Sequence, residues 1–176
     1  MINLIDKDLF KKTEGRLYRH YRNKKEIEKL KKVIETLNKQ VEQIEDKIRN
    51  TNVKIDYYQS GMALGERVRT SSTGTSYAER EIIKAIEKLE RELIQKKKKI
   101  LKLEARIREK EEQIADMDYN IQMLNEEYKR LTEWKYGENK SLDWIATEMY
   151  AGARTTAYRK REEIVESIAQ WCNTVK

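Results

Sequence analysis

IEKLKKVIETLNKQVEQIEDKI, residues 27–48, places Ile27, Leu30, Ile34, Leu37, Val41, Ile44 and Ile48 at alternating intervals of three and four. That period lays an apolar seam along one side of an α-helix, in the heptad form that pairs with a second helix. A longer seam keeps the same phase: Ile82, Ile86, Leu89, Leu93, Lys96, Ile100, Leu103, Ile107, Lys110, Ile114, Met117, Ile121, Leu124, Tyr128 and Leu131. The spacing predicts one helix over 77–133, ~85 Å long at the standard rise. Its start is marked by Ser76 and Glu79, a capping box in which each side chain satisfies an otherwise unpaired backbone N–H. Lys96 and Lys110 interrupt the seam; a buried, unpaired ammonium is expensive, so both are expected to snorkel outward.

Working outward, the first seam traced toward the N-terminus meets Lys24, His20, Leu17, Thr13 and Phe10, which predicts a helix over 7–22 with little apolar surface. Thr51 to Ser76 carries Gly61, Gly65, Gly74 and the run TSSTGTS, and reads as a loop. Such a loop lets the shorter helix return antiparallel along the longer one, leaving part of the long seam for another chain. Composition agrees: 176 residues without proline and with six glycines leave few helix breakers, and 39% charged residues is well above the average of about 25%. The expected fold is all-α: an N-terminal coiled-coil arm (1–50), a loop (51–76), a long coiled-coil helix (77–133) and a small C-terminal helix-turn-helix domain (134–176).

Catalytic and metal chemistry find no support in the residues. A single cysteine, Cys172, and a single histidine, His20, provide neither an intrachain disulfide nor a zinc-finger ligand set. Gly61 and Gly65 are not followed by Gly-Lys-Ser/Thr, Ser71, Ser72 and Thr73 have no neighbouring histidine, and the pairs Glu111/Glu112 and Glu126/Glu127 sit on solvated helix faces. No enzyme activity, cofactor or metal is expected. The N-terminal MINLIDKDLF is far too short an apolar patch for a signal peptide or a membrane span, so a soluble cytoplasmic protein without membrane contact is expected.

The formal net charge of +7 favours an anionic partner. In SLDWIATEMYAGARTTAYRKREEIVESIAQW, residues 141–171, Ser141 is a good N-cap for a short helix burying Leu142, Ile145, Ala146 and Met149. A turn containing Gly152 follows. A longer helix from Arg154 carries an inward stripe of Ala157, Ile164, Ile168 and Trp171, with Tyr158 expected to pack at its edge. This is the pattern of a helix-turn-helix whose second helix enters the major groove of double-stranded DNA. Thr155 and Arg159 are the expected base-edge readers and Thr156 shares their outward side, while Arg154, Lys160 and Arg161 are expected on phosphates. Glu162, Glu163 and Glu166 restrict DNA contact to the first two turns. Two further basic clusters, Arg16/Arg19/Arg22/Lys24/Lys25 interleaved with Tyr18, His20 and Tyr21, and Lys96–Lys99, read as solvated faces.

EWKYGENKSLDWIATEM followed by RTTAYRKR resembles the helix-turn-helix of sigma factor region 4, with a turn one residue longer. The tail TTAYRKREEIVESIAQW, with the layout of charged helices before it, resembles the phage late-gene transcription activators of the RinA and ArpU type. That resemblance implies a DNA-binding regulator of phage genes in the bacterial host cytoplasm, with RNA polymerase as a further partner. The coiled coil implies a homo-oligomer, since two linked reading heads gain strongly in effective concentration. The competing readings are a DNA-packaging protein of the small terminase kind and a structural coiled-coil adaptor.

Overall fold

The computed structural model describes residues 6–52 and 77–174. Among them there is no strand, and five α-helices account for nearly all: α1 (Lys7–Arg49), α2 (Tyr77–Gln122), α3 (Glu126–Thr132), α4 (Leu142–Tyr150) and α5 (Arg154–Thr174). A single π-helical turn, Glu133–Gly137, follows α3. None of these helices is long and apolar enough to cross a membrane. Residues 53–76, which hold most of the expected loop and the serine of the expected capping box, lie outside the described residues.

The chain divides into two compact units that differ from the expected domains. One is a middle unit, Lys32–Ala105; the other is a terminal unit that joins Met1–Lys31 to Arg106–Lys176.

In the middle unit Leu37, Val41 and Ile100 form the buried centre, flanked by Val33, Ile34, Leu93 and Leu103. These are the seam positions of α1 and α2. Lys96, expected to snorkel outward, is only 22% exposed: its ammonium donates to Gln40 of α1 at 2.9 Å and pairs with Glu92 at 3.2 Å. Ile94 and Leu101, seven residues apart, lie outside the seam and are exposed.

In the terminal unit the first half of α1 is a core element rather than an arm. Leu17 is fully buried and packs with Met117, Ile121, Leu124, Leu131, Tyr136, Leu142, Ile145, Ile164, Val165 and Ile168. The residues of α1 that face this core are largely polar: Thr13, His20 and Asn23 are buried. Asn23 therefore takes the seam position that heptad phase had assigned to Lys24, which remains exposed. Its amide donates to Gln113 at 3.3 Å and accepts from Lys110 at 3.4 Å, while Lys110 pairs with Glu26 at 2.8 Å. Lys110 is thus held against α1 by a carboxylate and an amide instead of snorkelling free.

The predicted single helix over 77–133 is broken at Met123–Asn125. Asn125 adopts an extended conformation, and its side chain accepts from the Tyr128 N–H at 2.8 Å, so it caps α3 as an N-cap asparagine does. The seam continues across the break because Leu124 and Leu131 are both buried. After α3 the chain winds through the π-turn, closed by Glu138 N–H to Glu133 C=O at 2.9 Å. Gly137 lets the turn approach α1 closely: a Cβ would meet the Tyr21 ring at 3.0 Å, and Lys25 donates to the Gly137 carbonyl.

Candidate nucleic-acid interface

α4 begins at Ser141, whose hydroxyl accepts from the Trp144 N–H at 3.1 Å, as its position predicts. Leu142, Ile145 and Ala146 are buried and Met149 is partly so. The exit is tight. Ala151 is left-handed at φ 49°, Gly152 follows at φ 87°, and the Gly152 N–H returns to the Ala146 carbonyl at 2.9 Å. Only a residue without Cβ strain suits the second of these positions. Ala153 then precedes α5, which has Ala157, Ile164 and Ile168 fully buried, as its periodicity predicts. Val165 and Ala169 join them, so the buried side of α5 is broader than the expected stripe. Ala146 and Ala157 are both 0% exposed: small residues permit close helix packing on this side.

The outward side of α5 presents Arg154, Thr155, Tyr158, Arg159 and Glu162. Tyr158, expected at the edge of the core, is 45% exposed instead: it shares a stripe with buried Val165 and Ala169 but lies two turns before the first of them, near the helix start. Arg154 pairs with Asp143 at 3.2 Å and Arg159 with Glu163 at 3.6 Å, both across solvent. Exposed pairs of this kind contribute about 0–1 kcal/mol, so either guanidinium can exchange its carboxylate for an anionic ligand at little cost. Thr156, one turn before Arg159, is half-buried.

Lys160 and Arg161, expected on phosphate, are partly buried and engaged with neighbours away from this outward side. Lys160 donates to the Tyr128 hydroxyl at 3.2 Å, lies 5.0 Å from the Tyr128 ring centre, and approaches Glu163 at 3.6 Å and Glu127 at 4.0 Å. Tyr128 in turn donates to Glu163, and Tyr150 donates to Glu127 at 2.9 Å. This network ties α3, α4 and α5 together. It also sets the charges: the hydrogen bond from Tyr128 holds the Glu163 carboxyl below its ordinary range, and burial followed by Glu127 pushes the Tyr150 hydroxyl well above its own. Arg161 points to α1, where it approaches Glu14 at 3.7 Å and lies 5.1 Å from the Phe10 ring.

One feature of the site leaves no trace in periodicity. Trp134 of the π-turn and Trp144 of α4 meet at 5.0 Å and 69°, with Arg130 4.5 Å from the first ring and Lys140 4.9 Å from the second. The two rings and two cations form a stack beside the start of α4. Only the aromatic enrichment at Trp134 and Tyr136 hints at it in the sequence.

No protein-family model matches the chain, and no curated protein or solved structure does either. The geometry itself therefore carries the functional reading. It brings Arg154, Thr155 and Arg159 onto one exposed surface, and it removes Lys160 and Arg161 from that surface.

Proposed function

We propose that the chain is a non-enzymatic, sequence-specific double-stranded DNA-binding regulator of transcription, in which α4, its turn and α5 act as a helix-turn-helix and α5 enters the major groove. The observation that carries this reading is the division of α5 into a fully apolar buried side and an outward side of Arg154, Thr155, Tyr158 and Arg159 at its N-terminal half. Helices that read DNA present base-contacting residues in that half. Arg159 is suited to a guanine edge and Thr155 to a thymine methyl, with Arg154 on phosphate. The proposed regulator is of the phage late-gene type to which its tail sequence is similar, acting in the cytoplasm of a bacterial host.

The seams of α1 and α2 form an antiparallel coiled coil in this reading. Exposed Ile94 and Leu101 give α2 a further apolar edge for a second copy, so that two reading heads act together. Genome-wide footprinting of the tagged protein in its host tests the function. Peaks at promoters support it, a peak at a packaging site replaces it with a DNA-packaging role, and no peak leaves a structural adaptor.

A further inference from the structure

Beside α1 in the terminal unit is an open groove of about 460 Å³ lined by the rings of Tyr18, Tyr21 and Tyr136, by Arg19, Arg22 and Lys25, and by Gly15, Gly137 and Asn139. Its cations are Arg19, Arg22 and Lys25, and no carboxylate lines it. Lys25 is anchored on the Gly137 carbonyl. Arg16, Arg19 and Arg22 have neither an ion pair nor a hydrogen bond among the described residues, unlike Arg154, Arg159 and Arg161, each of which faces a carboxylate. Two guanidinium groups without an ion pair in a concave setting, whose nearby Glu14 is engaged by the Tyr136 hydroxyl at 3.0 Å, define a site for an anion with several oxygens, because the planar fork binds phosphate oxygens in pairs.

The walls decide which anion. Tyr136 is 3% exposed, Tyr18 is 38% exposed and held edge-on against it at 4.8 Å, and Tyr21 is half-buried and edge-on to His20 at 5.1 Å, so the three lining rings do not form a row of open faces. A platform for successive single-stranded bases needs several such faces, whereas a duplex backbone needs cations at intervals. Gly15 sits on the floor in mid-helix, where it costs α1 up to about 1 kcal/mol relative to alanine, and a Cβ there would meet nothing within 4 Å. The open floor leaves room for backbone to lie in the groove. The groove is also contiguous with the proposed reading head: Asn139, which lines it, is followed by Lys140 of the tryptophan stack and by Ser141, the cap of α4.

We infer that this groove holds the phosphate backbone of the same DNA duplex, flanking the segment read by α5, with Arg19 and Arg22 each contacting a phosphate. This inference rests on the DNA-binding reading above. It turns the first half of α1 from a solvated face into a second contact surface.

The test measures affinity of the full-length protein for a duplex of arbitrary sequence across a salt series of about 50 to 200 mM. Four double variants are compared with the native chain: Arg19→Ala with Arg22→Ala, Arg19→Lys with Arg22→Lys, Arg154→Ala with Arg159→Ala, and Lys98→Ala with Lys99→Ala. Losing two phosphate contacts makes the slope of log K against log salt shallower by about 2, so the variant binds more weakly at 50 mM and loses roughly tenfold less affinity than the native chain on going to 200 mM. The groove alanine pair should show this shallower slope, the lysine pair should retain most of the native slope, and the Lys98/Lys99 pair, with the same change in net charge, should leave the slope near native. Gly15→Glu, which improves helix propensity while placing a carboxylate on the floor, should weaken binding with helicity intact. An unchanged slope for the groove pair, or an equal loss for the Lys98/Lys99 pair, overturns the inference. If Arg154/Arg159 still matters in that case, the reading of α5 stands alone and the groove passes to an acidic protein surface. Absence of any duplex binding by the native chain overturns both.

Discussion

Lys160 and Arg159 are adjacent in sequence and separate in role, which gives a double dissociation. Lys160→Ala removes a hydrogen bond at 3.2 Å to Tyr128 and a cation–π contact at 5.0 Å, and leaves Glu127 and Glu163 around Tyr128 without their shared cation. The hydrogen bond contributes about 1 kcal/mol and the ring contact about 0.5–1 kcal/mol. The two ion pairs, at 3.6 and 4.0 Å and partly wet, add little. A loss of about 2 kcal/mol is expected, or roughly 4–8 °C in Tm for a chain of this size. Arg159→Ala, by contrast, breaks one solvent-exposed pair and should leave Tm within about 1 °C. In binding the pattern reverses: Arg159→Ala costs roughly 1–3 kcal/mol at the specific site and less on scrambled duplex, while Lys160→Ala, measured well below its Tm, leaves the salt slope unchanged. Thermal melts followed by circular dichroism, with fluorescence anisotropy on specific and scrambled duplexes, check both halves. A Lys160→Ala protein of native Tm and reduced salt slope would refute the inward placement of Lys160.

Ile145→Ala empties a fully buried site in the terminal core and should cost about 2–5 kcal/mol, read as a lower urea midpoint together with lost DNA binding. Asn125→Ala removes the cap of α3 and should cost about 0.5–2 kcal/mol, with Asn125→Asp retaining most of it. His20 is held below its ordinary pKa, first by burial and in part by Lys24, against the attraction of Asp118 at 3.5 Å. A depressed folded pKa means that the unfolded chain takes the proton first. The stability His20 confers is therefore complete above about pH 6.5 and is lost as pH falls through the folded value. Urea midpoints on either side of that pH should diverge in the native chain, and less so in His20→Gln. If the proposed second copy docks on this edge, Ile94→Glu with Leu101→Glu should lower the sedimenting mass to that of one chain while leaving helicity near native, since both side chains are already exposed.

The two seams were legible because large aliphatic residues at three-four spacing permit little else, and Leu37, Val41, Ile100 and Ile107 are buried where that spacing puts them. The cap at Ser141 and the small pair Ala146 and Ala157 were legible for the same reason: each is a local rule acting within a few residues. What stayed hidden depends on partners distant in sequence. The core side of the first half of α1 is Thr13, His20 and Asn23 beside Leu17, too polar to register as a stripe. The break at Asn125 is masked because Ile121, Leu124, Tyr128 and Leu131 keep their spacing across it. Lys160 and Arg161 sit on flanks that periodicity leaves undecided, and only Tyr128 and Glu14 draw them inward.

The joining of the chain's beginning to its end has a consequence for synthesis. Leu17 finds its core neighbours Leu131 and Ile164 only after more than a hundred further residues have been made. At roughly 5–20 residues per second the nascent helix waits on the order of ten seconds before its destination exists. During that interval the side destined for the interior shows solvent Phe10, Leu17 and Tyr21 interspersed with a threonine, a histidine and an asparagine, which dilute the apolar surface open to neighbouring nascent chains. The polarity that conceals this segment from pattern reading also lets it wait for partners made more than a hundred residues later.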